Sequence, residues 1–221
     1  SGAILSTLAD PAPAIRRDYP LGLRSKGVPE SLRGQSNETM ASNPYVIAVV
    51  NQKGGVGKTT TAVNLAACLS ASERPTLLID MDPQANASSA YGIVKAERQV
   101  YDALIDEVPL TRCAYETELE TLHVVPAGRD LVGAEIELVG KSEREYQLAR
   151  SIQSTGEAYE IILIDCPPSL GLLTLNALTA ADAVLIPLQC EYYALEGLAN
   201  LVETVDLVCG QLNPRLEVQG I

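Results

Sequence analysis

The stretch "NQKGGVGKTT" (residues 51–60) narrows the possible folds more than any other part of the chain. It follows "YVIAVV", a continuous apolar run with β-branched residues, and leads into "TTTAVNLAACLS", rich in alanine and leucine. A strand, a glycine-rich turn and a helix in that order form an anion nest. Gly54, Gly55 and Gly57 let the backbone approach phosphate oxygens with no Cβ in the way. Successive N–H groups through Thr60, Val56 included, point at the anion, and the positive end of the helix adds to their pull. Lys58 supplies a compact charge for β- and γ-phosphates, and the Thr59 hydroxyl is placed to coordinate Mg²⁺. The pattern departs from an ordinary phosphate loop in two ways. Counting back from Gly57-Lys58-Thr59, the expected first glycine falls on Gln52, and a second lysine, Lys53, stands ahead of the glycines.

The chain continues to alternate. "PTLLIDMD" reads as a second buried strand, followed by the polar loop "PQANASSA". "VYDALID" is helical, "TLHVVPAG" a third strand, and "SEREYQLARSIQS" an exposed amphipathic helix with Ser142 placed as its cap. "YEIILIDCPPS" is a fourth strand with a turn, "TLNALTAA" a helix and "DAVLIPL" a fifth strand. "EYYALEGLANLVETVDLVC" is a long helix with an apolar stripe at Leu195, Leu198, Val202 and Val205. Strand–helix alternation of this kind predicts an α/β fold: a doubly wound, mostly parallel sheet with helices on both faces. Ligands of such sheets bind at the carboxyl ends of the strands. "LEVQGI" opens a further strand, so the domain is expected to continue beyond Ile221, its C-terminal part missing here.

Two acidic strand ends join the glycine loop at that edge. In "DMDPQANASS", Asp80 and Asp82 are expected to diverge onto opposite faces before the turn at Pro83, one of them facing the phosphates. A carboxylate there orients or deprotonates an attacking water, or holds a water bound to Mg²⁺. In "IILIDCPPSLG", four apolar residues ending in Asp165 suit a metal-side carboxylate on a buried strand. Pro167-Pro168 stiffens the next turn, and Gly171 permits a backbone N–H to approach the γ-phosphate.

Composition removes several alternatives. A net charge of −12 over 221 residues argues against a uniformly basic surface. No apolar run approaches the ~18 residues of a membrane span, and no signal-peptide pattern is present, so a soluble, cytoplasmic protein is expected. The five cysteines are odd in number and lack any C-x-x-C pair, which fits reduced thiols. Residues 1–44 are rich in proline, serine and glycine with no sustained apolar period, and disorder is expected there. That tail carries five basic residues (Arg16, Arg17, Arg24, Lys26, Arg33) against four acidic ones, leaving −13 for residues 45–221. The one histidine, His123, sits on a strand and is read as structural.

"KGGVGKTT", "DMDPQANASS", "DCPPSLGLLTLNAL" and "EYYALEGL" together resemble the ParA/Soj ATPases, P-loop proteins with a deviant Walker A loop that partition bacterial chromosomes and plasmids. The likeness runs from about Tyr45 to Ile221. It implies ATP and Mg²⁺ as cofactors and a nucleotide-sandwich homodimer in which Lys53 reaches the partner's nucleotide. Lys58 is then the ordinary phosphate lysine, and Asp82 positions the hydrolytic water. Thr59 and Asp165 serve Mg²⁺, Asp165 through a water, with Asp80 a second candidate on the metal side. The loops after Asp82 and Asp165 are then switches ordered by the γ-phosphate. The resemblance further implies slow ATP hydrolysis stimulated by a ParB-type partner, and non-specific DNA binding by the ATP dimer on the nucleoid, with no membrane role.

Other readings share this core. A MinD-like membrane-cycling ATPase needs a basic amphipathic C-terminal helix, and "DPQANASS" and "EYYALEGL" speak against it. A carrier resembling nitrogenase iron protein needs cysteines that hold iron–sulfur between subunits. A scaffold that only binds nucleotide has no use for Lys53, Lys58 and Asp82 together. A ParA relative that positions another cargo has the same ATPase core.

Overall fold

The computed structural model describes residues 43–189 and 194–221. The expected disorder of the tail, its basic cluster, and the opening residues of "EYYALEGL" (191–193) fall outside the described residues. In chain order the elements are β1 (Tyr45–Val49), α1 (Lys58–Ala71), β2 (Thr76–Asp80), α2 (Asn86–Ala90) and α3 (Val100–Ile105). Then come β3 (Tyr115–Glu116), β4 (Leu122–Val125), α4 (Leu131–Val139), α5 (Gln147–Gln153) and β5 (Ile161–Asp165). The last four are α6 (Leu172–Ala180), β6 (Ala183–Leu185), α7 (Ala194–Gln211) and β7 (Glu217–Gly220).

The described strands form one sheet in the order β3-β4-β2-β5-β1-β6-β7. Every pairing is parallel except β3 with β4. This is the doubly wound P-loop architecture expected. β2 and β5 are buried along their whole length because helices cover both faces, which is why they read as unbroken apolar runs. Period-two alternation divides their side chains. Val46, Ala48, Leu77, Ile79, Ile162 and Ile164 pack in the core shared with α3 to α7. Ile47, Val49, Leu78 and Leu163 pack against Ala62, Ala66 and Leu69 of α1. Each fully buried Leu or Ile stabilises the fold by about 1.5–3 kcal/mol relative to exposure.

The structure departs from the sequence expectation at several elements. The helix expected from Ser142 begins at Gln147 after a 3₁₀ turn at Arg144–Tyr146, and Ser142 does not cap it. Its first turn is capped from a distance: Asn176 Oδ1 accepts the Leu148 N–H at 3.1 Å. The same helix is half-buried rather than exposed, since Tyr146, Gln147, Leu148 and Ile152 face inward. The buried stripe of α7 is Leu201, Val205 and Val208, flanked by Leu198 and Leu212, while Val202 is only half-buried. Within "PQANASSA", read as a loop, Asn86–Ala90 forms the short helix α2. α4 and β3 were not expected at all. In α4, Leu131, Ala134 and Leu138 are buried while Val132, Ile136 and Val139 face solvent, so apolar residues on both sides hide its helical period.

Candidate functional site

The register brings the separated motifs level. In the parallel ladder Val49 stands opposite Asp165, and Asp165 opposite Asp80, so three strands end together. The ladder continues one residue further: the Cys166 N–H donates to the Val49 carbonyl at 3.2 Å and the Met81 N–H to the Asp165 carbonyl at 2.9 Å. The phosphate loop leaves β1 at this edge. Gly55 (φ 77°) and Gly57 (φ 94°) adopt left-handed conformations there, which favour glycine. A Cβ at Gly54, Gly55 or Gly57 would meet nothing within 4 Å, so no other part of the chain crowds these three positions.

Four hydrogen bonds hold the loop in shape. Asn51, buried, donates from Nδ2 to the Pro187 carbonyl at 2.7 Å and accepts the Lys53 N–H on Oδ1 at 3.0 Å. Gln189 Nε2 donates to the Gly55 carbonyl at 3.1 Å. Lys58, only 7% exposed, folds back so that Nζ donates to the Lys53 carbonyl at 3.2 Å. Burial lowers the Lys58 pKa, and the nearby carboxylates of Asp165 and Asp82 work against that shift.

Asp165 is fully buried on the α1 face, in phase with Ile161 and Leu163. Burial lifts its carboxyl to about 7; Thr59 and Lys58 act to lower it, while Asp80 and Asp82 add to the rise. Neither of its oxygens is satisfied by a hydrogen bond of ordinary geometry among the described residues. Asp80 is also buried, but its oxygens are engaged. Oδ2 accepts from the Ser88 N–H (2.8 Å) and hydroxyl (2.6 Å), and Oδ1 accepts the Asp82 N–H (3.1 Å). Asp82 accepts the Gln84 N–H at 2.9 Å, which orders the turn after it.

One expectation needs correction. Asp80 and Asp82 do not diverge onto opposite faces, because residues two apart in an extended chain share a face. β2 ends at Asp80, in phase with Leu78 on the α1 side, and both carboxylates lie close enough to Asp165 to raise its pKa.

The donor set fits magnesium bound together with a nucleotide. A buried carboxylate with two unsatisfied oxygens, the neighbouring Thr59 hydroxyl and an amine at Lys58 are hard-cation and phosphate partners. Among the described residues no three His, Cys, Asp or Glu side chains cluster as a metal cage, so such a cation would need phosphate oxygens and water for the rest of its shell. Cys166 is buried with its thiol pushed well above the ordinary range, the opposite of what a thiolate ligand requires.

The comparisons with known proteins follow the same residues. The family model described as "AAA domain" matches residues 45–218. The chromosome partitioning protein ParA of Myxococcus xanthus is 55% identical over 190 residues, which are 85% of this chain and 67% of that protein. The sporulation initiation inhibitor protein Soj of Bacillus subtilis is 54% identical over 178 residues, 80% of this chain and 70% of that protein. The chain belongs to the ParA/Soj family. A solved structure of cobyrinic acid a,c-diamide synthase from Mycobacterium smegmatis, with bound ADP and magnesium, aligns at 40% identity and a TM-score of 0.76. It covers 79% of this chain and 72% of that one.

Within this ParA/Soj chain the structure gathers Lys53, Lys58, Thr59, Asp82 and Asp165 at one edge. It also brings in residues that the sequence reading did not single out. Asn51 ties the phosphate loop to the end of β6. Ser88 joins Asp80 to the β4–α4 connection, its Oγ accepting the Ala127 N–H at 3.0 Å. The signal for Ser88 lay inside "DPQANASS": a hydroxyl eight residues after a buried aspartate, on a turn that leads back to the strand. Asn51 offered no such signal.

Proposed function

We propose that the protein is a magnesium-dependent ATPase of DNA partition, active as an ATP-sandwiched homodimer that binds DNA without sequence preference and hydrolyses ATP faster when a ParB-type partner engages it. The observation that carries this reading is the pair of lysines on one loop. Lys58 is buried beside the carboxylates, while Lys53, half-buried, stands ahead of the glycines. A phosphate site needs only the first; the second suits charge supplied across an interface, in the manner of an arginine finger.

In this reading Lys58 leaves the Lys53 carbonyl for the β- and γ-phosphate oxygens. Residues 54–60 offer backbone N–H groups to the same oxygens, and the glycines keep that approach clear. Thr59 and Asp165 would hold magnesium, Asp165 through a water, and the ion would supply positive charge to the reacting phosphates. Asp82 orients the attacking water and accepts its proton. Asp80, with its oxygens taken by Ser88 and Asp82, acts by fixing the backbone that carries Asp82. The relatives above 50% identity are named for partitioning or for Soj, whereas the structural neighbour named for a different reaction stands at 40%. No described helix is long and apolar enough to cross a membrane. A cytoplasmic protein associated with the nucleoid follows from the same reading.

The test is fluorescence anisotropy of a random-sequence DNA duplex, with ATP and with ADP, over a salt series. Binding that requires ATP, weakens steeply with salt and disappears in Lys53→Ala is the expected result. Equal binding in both nucleotides, or none in either at low salt, overturns the DNA part of the proposal. Phosphate release from the same samples reports separately on the ATPase.

A further inference from the structure

α4 carries a carboxylate that the mechanism above does not use. Glu135 leans across to the start of α6 and sits directly over Gly171: a Cβ added at that glycine would collide with the carboxylate. Its Oε1 is buried with no hydrogen-bond partner among the described residues. Gly171 is the N-cap of α6 in an extended conformation (φ −84°, ψ −170°), and no side chain caps that helix. The first-turn N–H groups of a helix have no intrahelical acceptors and carry its positive end. An acceptor without a partner thus lies beside Gly171, at the helix end whose first N–H groups lack intrahelical acceptors.

The location gives the contact its meaning. Gly171 closes the loop that begins at Asp165, and Thr174 Oγ1 donates to the Ser169 carbonyl within that loop at 2.5 Å. The other end of α4 is anchored as well. The connection leading into it donates the Ala127 N–H to Ser88, whose hydroxyl in turn holds Asp80. α4 and the connection leading into it thus reach both the start of α6 after the Asp165 loop and α2 after Asp82.

We propose that Glu135 is a positioning residue: it pins the 166–171 loop through Gly171 and the first turn of α6, and so holds in place for catalysis the loop that leaves Asp165. The inference rests on the ATPase reading for its catalytic consequence.

The test compares wild type, Glu135→Ala, Glu135→Gln, Gly171→Ala and the Glu135→Ala/Gly171→Ala double variant. At φ −84° an alanine is unstrained, so Gly171→Ala evicts the carboxylate without distorting the backbone. Amide exchange of residues 172–174 without nucleotide is expected to rise about 5-fold in Glu135→Ala and Gly171→Ala, as for loss of a cap. ATP turnover is expected to show kcat reduced roughly 10-fold with KM little changed, as for a misplaced catalytic group. Glu135→Gln, which keeps an acceptor, regains part of both, and the double variant is no worse than Gly171→Ala alone. Unchanged exchange in both single variants overturns the proposal, as does raised exchange with kcat within about twofold of wild type. A wild-type chain without ATP turnover refutes the ATPase reading instead, and the exchange measurement still decides whether the pin exists.

Discussion

Asp165 carries a conflict between burial and charge that can be measured. Its ordinary pKa is 3.8, and in the folded chain desolvation raises it to about 7. Between those pH values the unfolded chain has released a proton that the folded chain still holds, so stability falls as pH rises through the window and levels off above it. Three pKa units correspond to at most ~4 kcal/mol, and an unpaired amide in the same place costs ~1–3 kcal/mol. Asp165→Asn should therefore raise nucleotide-free stability by ~1–3 kcal/mol near pH 8 and flatten the pH dependence of denaturant melts. It should also abolish ATP hydrolysis. Parallel pH profiles for the two proteins would show that Asp165 is ionised in the folded chain. Lys58, Asp82 and Asp165 were legible in the sequence because each stands at a strand end or on the glycine loop, where the neighbouring residues reveal its setting. Asn51 was not, since its partner Pro187 is 136 residues away; for Ser88 the local bond to Asp80 had a signal, but the tie to Ala127, 39 residues on, had none.

The same limit operates among the elements. The buried strands and α1 were readable from apolar runs and from the glycine loop. The start of α5 was not, because tertiary contacts decide it. Asn176, fully buried on α6, donates to the Arg144 and Leu172 carbonyls (2.9 Å each) and accepts the Leu148 N–H. Gln147 secures the same turn by donating to the carbonyls of Ser142 (3.1 Å) and Glu143 (3.3 Å). Replacing Asn176 with Leu removes three hydrogen bonds and strands buried backbone groups, a loss of ~3 kcal/mol. For a domain of this size Tm should drop by roughly 6–12 °C. A shift below ~2 °C would mean that the turn at Arg144–Tyr146 is held by Gln147 alone.

For the whole molecule, the deciding property is the register of β1, β2 and β5, which sets Val49, Asp80 and Asp165 at one level. One residue inserted between Ile164 and Asp165 turns the carboxylate from the α1 face to the opposite one, since side chains alternate. ATP binding should be lost while the sheet still forms. One residue inserted in the exposed turn at Gly156–Ala158, ahead of β5, should leave both nearly unchanged, and titration of a fluorescent ATP analogue with a thermal melt checks each case. A retained nucleotide site in the first variant would show that the loop, not the strand, aims Asp165. The aligned carboxyl ends thus give the protein a working rim and a free rim. The turns that lead back into the sheet lie on the free rim, and they are where a fluorophore or a fusion partner can be attached while the chemistry opposite runs undisturbed.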